Sequence, residues 1–132
     1  MNNPEIVYEK IRIKLNKTDL IMNSEGVIIL QGTRSMQVTY DELNQEKDNN
    51  LWELLTTICY HTSDYQEENK SGAVTAGRGK YIAELRFANG KLTYLKISKK
   101  KEQNVYIEFE NYNEVLDFIK CVMKINKMKK EE

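Results

Sequence analysis

The residues that could carry out catalysis are few, because the chain has one histidine and two cysteines. A thiol held by an imidazole is the pair that nucleophilic catalysis would use. Cys59 and His61 are two positions apart in a helical pattern, so they point to different sides of the helix. No CxxC or HxxxH spacing is present for zinc. The sequence therefore predicts a protein that is not an enzyme and has no metal or cofactor, with Cys59 and Cys121 as small apolar residues.

A glycine-rich segment, residues 72–80, is the next candidate, since it superficially resembles a phosphate-binding loop. That loop requires Gly-Lys-Ser/Thr between a strand and a helix. Here Arg78 stands in place of the lysine, no Ser or Thr follows Lys80, and a strand pattern follows. The segment is therefore not predicted to hydrolyse nucleotides. Arg78 and Lys80 remain candidates to contact a phosphate or an acidic partner.

Basic and tyrosine side chains are the other candidates for binding. The net charge is zero, but residues 1–70 carry 7 basic and 12 acidic side chains, whereas residues 71–132 carry 13 and 8. Tyrosine is enriched in protein interfaces, and tyrosine beside lysine also suits single-stranded nucleic acid. The alternative is that these charges solvate loops and that the tyrosines pack locally. The candidate binding residues are Arg78, Lys80, Tyr65, Tyr106, Lys96, Lys99, Lys100 and Lys101.

The first half of the chain reads as strands followed by a helix. Residues 7–15 alternate between apolar and polar, residues 20–30 form a hairpin around a four-residue loop, and residues 36–40 alternate again. Residues 50–61 have helical spacing with an asparagine or aspartate before them, and Thr39-x-x-Glu42 resembles a capping box that could begin a helix earlier. Residues 63–79 are polar, glycine-containing and without period, and they predict a mobile loop.

The last third is the clearest part of the sequence. Residues 80–88 alternate, Asn89-Gly90 predicts a type I′ turn, and the return strand would place Leu92 opposite Phe87 and Tyr94 opposite Leu85. Val105, Ile107 and Phe109 predict another strand. A helix with Asn111 as N-cap follows, and residues 127–132 are predicted to be a frayed basic tail.

These elements predict an α+β fold in which residues 1–132 form a single domain. We expect a curled antiparallel sheet of six to seven strands, a middle helix, and a C-terminal helix that packs on the sheet. At 132 residues the chain is of ordinary size for one domain. The N-terminus does not resemble a signal peptide, and no apolar run is long enough to span a bilayer.

The sequence favours a cytoplasmic binding or regulatory protein that acts through contacts with a partner protein. The 16 lysines against 4 arginines, with 13 asparagines and 12 isoleucines, indicate an AT-rich genome such as that of a low-GC bacterium or its phage. A small bacterial or phage-encoded regulator or inhibitor is therefore the leading interpretation. The alternative is binding of nucleic acid or another polyanion by the basic C-terminal half. An edge strand at residues 7–15 also makes a homodimer compatible with the sequence.

Overall fold

The structure is a computed structural model, and it describes residues 11–47 and 50–131. Four strands form an antiparallel sheet in chain order, which we call sheet A. They are β1 (Ile11–Lys14), β2 (Asp19–Met22), β3 (Gly26–Gln31) and β4 (Arg34–Thr39). The predicted strand at residues 7–15 corresponds to β1, although residues 7–10 lie outside the described residues. The predicted hairpin corresponds to β2 and β3.

A second antiparallel sheet, sheet B, follows in the second half of the chain, again in chain order. Its strands are β5 (Gly72–Arg78), β6 (Tyr81–Ala88), β7 (Lys91–Lys99) and β8 (Glu102–Phe109). The turn between β6 and β7 is the predicted Asn89-Gly90 turn, with φ values of 50° and 79°. Positive φ at both positions defines a type I′ turn.

Within residues 11–47 and 50–131, three helices complete the α+β fold, and side-chain caps begin each of them. They are α1 (Tyr40–Leu43), α2 (Leu51–Glu67) and α3 (Tyr112–Lys130). Asn50 and Asn111 cap α2 and α3, each with its side-chain oxygen 3.0 Å from a backbone nitrogen three residues later. The Thr39–Glu42 capping box is also present, but it starts the short helix α1 rather than α2. No helix within the described ranges is long and apolar enough to cross a membrane.

The core lies between the sheets and the helices. Buried apolar residues from both sheets and all three helices form one cluster. In sheet B the buried side chains alternate along β6, so one face of the strand packs inward. Helix α2 covers β5, β6 and β7, and α3 lies against β7 and β8. Phe118 of α3 contacts Phe109 of β8, with ring centroids 5.3 Å apart.

The two sheets meet where β8 lies against β3 and β4. The buried Gln31 side chain joins them: its amide nitrogen donates to the Glu108 carbonyl at 2.7 Å, and its amide oxygen accepts from the Glu108 N–H at 2.7 Å. The same nitrogen donates to Thr18 Oγ1 at 2.9 Å. One side chain thus satisfies both backbone groups of a residue at the edge of sheet B.

Three expectations about the fold are wrong. The strands form two separate four-stranded sheets rather than one curled sheet of six to seven strands, because β8 meets sheet A through the Gln31 side chain of β3 instead of through backbone pairing. The loop predicted at residues 63–79 contains the end of α2 and all of β5. Residues 72–78 have little apolar periodicity, but they form a strand because they pair with β6. The tail predicted from residue 127 is helical through Lys130, because α3 continues.

A bulge changes the register predicted for the hairpin of β6 and β7. Phe87 does pair with Leu92, but Leu85 pairs with Leu95 and not with Tyr94. The register shifts between Arg86 and Phe87, so β7 holds one extra residue there. As a result Leu95 enters the core, and Tyr94 turns to the other side of the sheet.

Candidate functional site

The face of sheet B that points away from the core is the leading candidate site. We call it the outer face. Tyr65 of α2 stacks on Phe87 and Phe118 of α3 contacts Phe109, so both helices lie on the opposite face. Within the described residues, no helix covers the outer face. Its residues are Ala73, Thr75, Gly77, Ile82, Glu84, Arg86, Tyr94, Lys96, Ser98, Tyr106 and Glu108.

Tyr106 lies between two cations. The guanidinium carbon of Arg34, which reaches over from β4, is 4.9 Å from the ring centroid. The ammonium nitrogen of Lys96 is 4.7 Å from the same centroid. Contacts of this kind contribute about 0.5–1 kcal/mol each at exposed sites. They hold the ring, which is half-buried, in a fixed position on the sheet.

Tyr94 is the second ring on this face. Its hydroxyl donates to Glu108 Oε1 at 3.1 Å, and the Arg86 guanidinium carbon is 5.9 Å from its ring centroid. Partial burial and then the Glu108 carboxylate raise the pKa of Tyr94 above its ordinary value. The phenol therefore stays protonated at neutral pH and acts as a hydrogen-bond donor.

The charges of the outer face are of both signs. Arg34 lies 3.8 Å from Glu108, and Lys96 lies 4.0 Å from Glu84. Both ion pairs are solvent-exposed enough that each contributes at most about 1 kcal/mol. Since they are weak, a partner can exchange them for contacts of its own. Tyrosine with arginine in such a mixed surface is typical of protein interfaces.

A cluster of four lysines lies at one end of the same sheet. We call Lys80, Lys99, Lys100 and Lys101 the basic tips, because they lie in the turn between β5 and β6, at the end of β7 and in the turn between β7 and β8. The Lys100 N–H donates to the Lys80 carbonyl at 2.8 Å, which ties the two turns together. The cluster surrounds a cavity of about 370 Å³ that Gly79 and Glu102 also line.

The lysines of the basic tips form no close ion pairs. Within the part of the chain that the structure describes, none of the four lysines is within ion-pair distance of an acidic side chain. Lys96, Lys17, Lys70 and Lys130, by contrast, all have such partners. With one glutamate among four lysines, the cavity has a net positive charge and suits an anion.

A second cavity, of about 270 Å³, lies between the sheets and shares Lys80 and Lys99 with the first. Its cations are balanced by Glu25 and Glu42. Desolvation raises the pKa of Glu42, but its hydrogen bonds with Thr39, the nearby Tyr81 hydroxyl and the charge of Lys80 together lower it more, so the pKa lies below its ordinary value. Because the charges cancel and Glu42 already caps α1, this cavity belongs to the packing of the two sheets.

The structure brings together six of the eight candidate residues. Lys96 and Tyr106 lie on the outer face, and the basic tips border it; an added Cβ on Gly77 would meet the Lys100 side chain at 3.2 Å. Tyr65 is elsewhere, because its ring stacks on Phe87 at 4.2 Å, at the opposite end of the sheet. Arg78 donates to the carbonyl of Gly77 at 2.7 Å. Its guanidinium therefore folds back on β5.

Sequence reasoning missed three side chains of this surface: Arg86 and Tyr94 on the outer face, and Arg34, which reaches over it from β4. Arg86 alternates with buried residues along β6, so its outward position was readable from the pattern. Tyr94 was not, because the bulge reverses its face. Arg34 comes from another sheet, and nothing in the sequence places it beside Tyr106.

The catalytic candidates do not form a site among the described residues. Burial raises the pKa of the Cys121 thiol, which disfavours the thiolate that a nucleophile needs. Cys59 lies beside Tyr112, and burial together with that thiol raises the pKa of Tyr112 to about 12. His61 contacts the ring of Tyr60 at 5.8 Å. No three acidic, cysteine or histidine side chains at residues 11–47 and 50–131 gather closely enough to bind a metal ion.

Comparison with known proteins concerns the fold. No protein-family model and no curated protein sequence matches this chain. Its fold is similar to a crystal structure of a protein with unknown function from the DUF155 family of Prochlorococcus sp. NATL2A, with a TM-score of 0.65. The two share 11% sequence identity over 87% of this chain and 98% of that chain. At this identity the likeness shows the fold alone, and function has to be argued from the residues themselves.

Proposed function

We propose that this is a non-catalytic binding protein that binds a partner protein on the outer face of sheet B. The observation that carries the proposal is that Tyr94 and Tyr106 share a sheet face that neither α2 nor α3 covers, together with two cations of that face and Arg34 from β4. Buried tyrosine and arginine side chains supply most of the binding energy in many protein interfaces. The regular strands beneath hold these side chains in place, so little conformational entropy is lost on binding.

The charge of the surface constrains the partner. The outer face itself is nearly balanced, with Arg34, Arg86 and Lys96 against Glu84 and Glu108. The basic tips add four lysines at its border. A partner with an apolar centre and an acidic rim on the side of the tips therefore complements this surface best. We propose the role of a small regulator or inhibitor of bacterial or phage origin, in the cytoplasm, where unpaired cysteines such as Cys59 and Cys121 persist.

Tyr106 is the residue whose removal tests the proposal. We expect Tyr106→Ala to weaken partner binding by about 30-fold, which corresponds to about 2 kcal/mol for a central aromatic anchor. Tyr106→Phe should bind within a few-fold of the unchanged protein, because the ring and its cations remain. The partner is first isolated with the tagged protein from a low-GC bacterial lysate treated with nuclease. Its affinity for each variant is then measured by surface plasmon resonance.

Tyr65→Ala is the matched control, because it removes the same side chain from the other side of the sheet. This variant should lose thermal stability, since Tyr65 stacks on Phe87, and it should keep its affinity for the partner at temperatures where it is folded. Equal losses of affinity in Tyr65→Ala and Tyr106→Ala would show that the outer face is not the interface.

Binding of nucleic acid or another polyanion is the second candidate function. The observation that favours it is the cluster of four lysines with one glutamate around the cavity at the basic tips. We expect a fluorescent oligothymidylate to bind with a log–log salt slope of about −3, since roughly 0.7 counterions are released per neutralised phosphate on a single strand. Fluorescence anisotropy at several salt concentrations measures the slope.

The double variant Lys100→Gln/Lys101→Gln should reduce this slope by about 1.4, because two phosphate contacts are lost. Lys120→Gln/Lys124→Gln, a matched pair of exposed lysines on α3, should leave it unchanged. A flat salt response in the unchanged protein would remove the polyanion function and leave the partner-protein function untouched.

A further inference from the structure

The outer edge of β5 is open. Sheet B has β5 at one edge and β8 at the other, and the β8 edge is closed by Gln31 and β4. Within the described residues, no strand pairs with the far side of β5. Strands left unpaired in this way are templates for pairing with another chain.

The backbone groups on that edge can be identified from the hairpin. Gly79 and Lys80 form a two-residue turn, with Gly79 at φ 55°, so Arg78 and Tyr81 close the turn as a hydrogen-bonded pair. Hydrogen-bonded and non-hydrogen-bonded pairs alternate from there. Ala73, Thr75 and Gly77 consequently direct their N–H and C=O groups away from β6. The Gly77 carbonyl agrees with this, because it accepts from the Arg78 guanidinium.

The side chains of β5 leave this edge accessible. Ala73 and Thr75 are exposed, Gly77 has no side chain, and the strand contains no proline. Arg78 is the one charged side chain on the strand, and it covers only the Gly77 carbonyl at the end near the turn. Natural proteins protect such edges with lysines, prolines or bulges. Apart from Arg78, β5 has none of these features.

We propose that this edge pairs with β5 of a second copy of the chain, antiparallel and centred on Thr75. This register opposes Thr75 to itself and Ala73 to Gly77 of the other copy, so all three outward-facing residues are used. Each of the three pairs exchanges two backbone hydrogen bonds. On the core side Val74 meets Ala76, so the pairing brings small side chains together and opposes no two like charges.

The charges at the two ends of β5 favour a second copy of the chain as the strand that pairs with this edge. The strand begins after the acidic end of α2, where Asp64, Glu67 and Glu68 outnumber Lys70. It ends at Arg78 and the basic tips. An antiparallel, two-fold pairing places the basic end of each copy beside the acidic end of the other. This arrangement satisfies charge complementarity twice with a single interface.

The pairing joins the two sheets B into one continuous eight-stranded sheet, and it extends the outer face across the two-fold axis. It does not depend on the partner protein proposed above. It also differs from a dimer through β1, which the sequence allowed. Substitutions at Thr75 disrupt pairing through β5 but leave the edge of β1 unchanged, so they distinguish the two dimers.

Sedimentation of the full chain tests this inference. The unchanged protein should sediment as a dimer at high concentration and dissociate towards the 15.5 kDa monomer on dilution. Thr75→Lys and Thr75→Glu should each raise the dimer dissociation constant at least tenfold, because like charges meet at the axis. An equimolar mixture of the two variants should form a dimer again, since Lys and Glu then face each other.

Gln37→Lys is the matched control, because Gln37 is an exposed strand residue of sheet A. It should dimerise like the unchanged protein. Circular dichroism of each variant checks that it is folded, and hydrogen exchange should show amides 73, 75 and 77 slowed in the dimer only. A monomer at every accessible concentration, or a dimer that Thr75→Lys and Thr75→Glu leave intact, would overturn the proposal.

Discussion

Replacing Gln31 by leucine is expected to lower the free energy of unfolding by about 3 kcal/mol. The substitution keeps a side chain of similar size but removes the amide that serves the N–H and C=O of Glu108 and the hydroxyl of Thr18. A partly buried polar group left without a partner costs about 1–3 kcal/mol. Two backbone groups of β8 lose their partner at once. Urea denaturation followed by circular dichroism measures the change.

Gln37→Leu is the control, because it makes the same chemical change at an exposed position on the neighbouring strand β4. It should alter the free energy of unfolding by no more than about 0.5 kcal/mol. If both variants lose the same small amount, water replaces the Gln31 amide, and apolar packing alone holds the sheets together. The Gln31 variant should also bind the partner less well, since Arg34 and Glu108 lie on either side of this junction and position Tyr106.

The local elements of this fold are readable from sequence because local residues determine them. Asn89-Gly90 adopts the positive φ values that its residue types favour, and Asn111 caps α3 through its own side chain. Strand β5 was missed for the opposite reason. Its glycines and alanines carry almost no pattern, and the segment is a strand because β6 offers it a ladder of hydrogen bonds. Tertiary pairing, not propensity, decides its conformation.

The candidate site shows the same division between local and non-local information. Tyr106 was identified from alternation along β8 and Lys96 from its charge alone, and the two lie together on the outer face. Arg34 comes from a different sheet, and Tyr94 depends on a single extra residue in β7. A bulge of this kind reverses which side chains face the core, and a period of two cannot reveal where it occurs. Half of the aromatic part of the surface is therefore invisible to pattern reasoning.

Arg78 makes a contact that its sequence context does not suggest. Its position in a glycine-rich segment predicted contact with a phosphate or an acidic partner. In the structure its guanidinium donates a hydrogen bond to the Gly77 carbonyl on the open edge of β5. The glycine-rich composition that made the segment look like a loop is the same property that leaves the edge unprotected. Pairing with β6 makes this glycine-rich segment an edge strand.

Replacing Gly26 by alanine is expected to lower the free energy of unfolding by about 3 kcal/mol, as much as Gln31→Leu. Gly26 begins β3 and pairs with Thr39 of β4. An added Cβ would lie 2.2 Å from the carbonyl oxygen of Val38 and 3.0 Å from Cα of Thr39. Both are backbone atoms of the adjacent strand, so β4 has to move. Overpacking that displaces backbone costs about 1–3 kcal/mol and occasionally more.

Gly32→Ala is the matched control, because the two glycines differ in the reason for their presence. Gly32 has φ 62° and no atom within 4 Å of an added Cβ, so alanine there adds only the strain of a left-handed backbone, about 1 kcal/mol. In thermal and urea unfolding, the free energy of unfolding of Gly26→Ala should be well below that of Gly32→Ala. Equal losses in the free energy of unfolding would mean that the backbone of β4 at Val38 moves away at little cost. Because Thr39 is the N-cap of α1, a rigid β4 predicts in addition that Gly26→Ala disturbs the start of that helix.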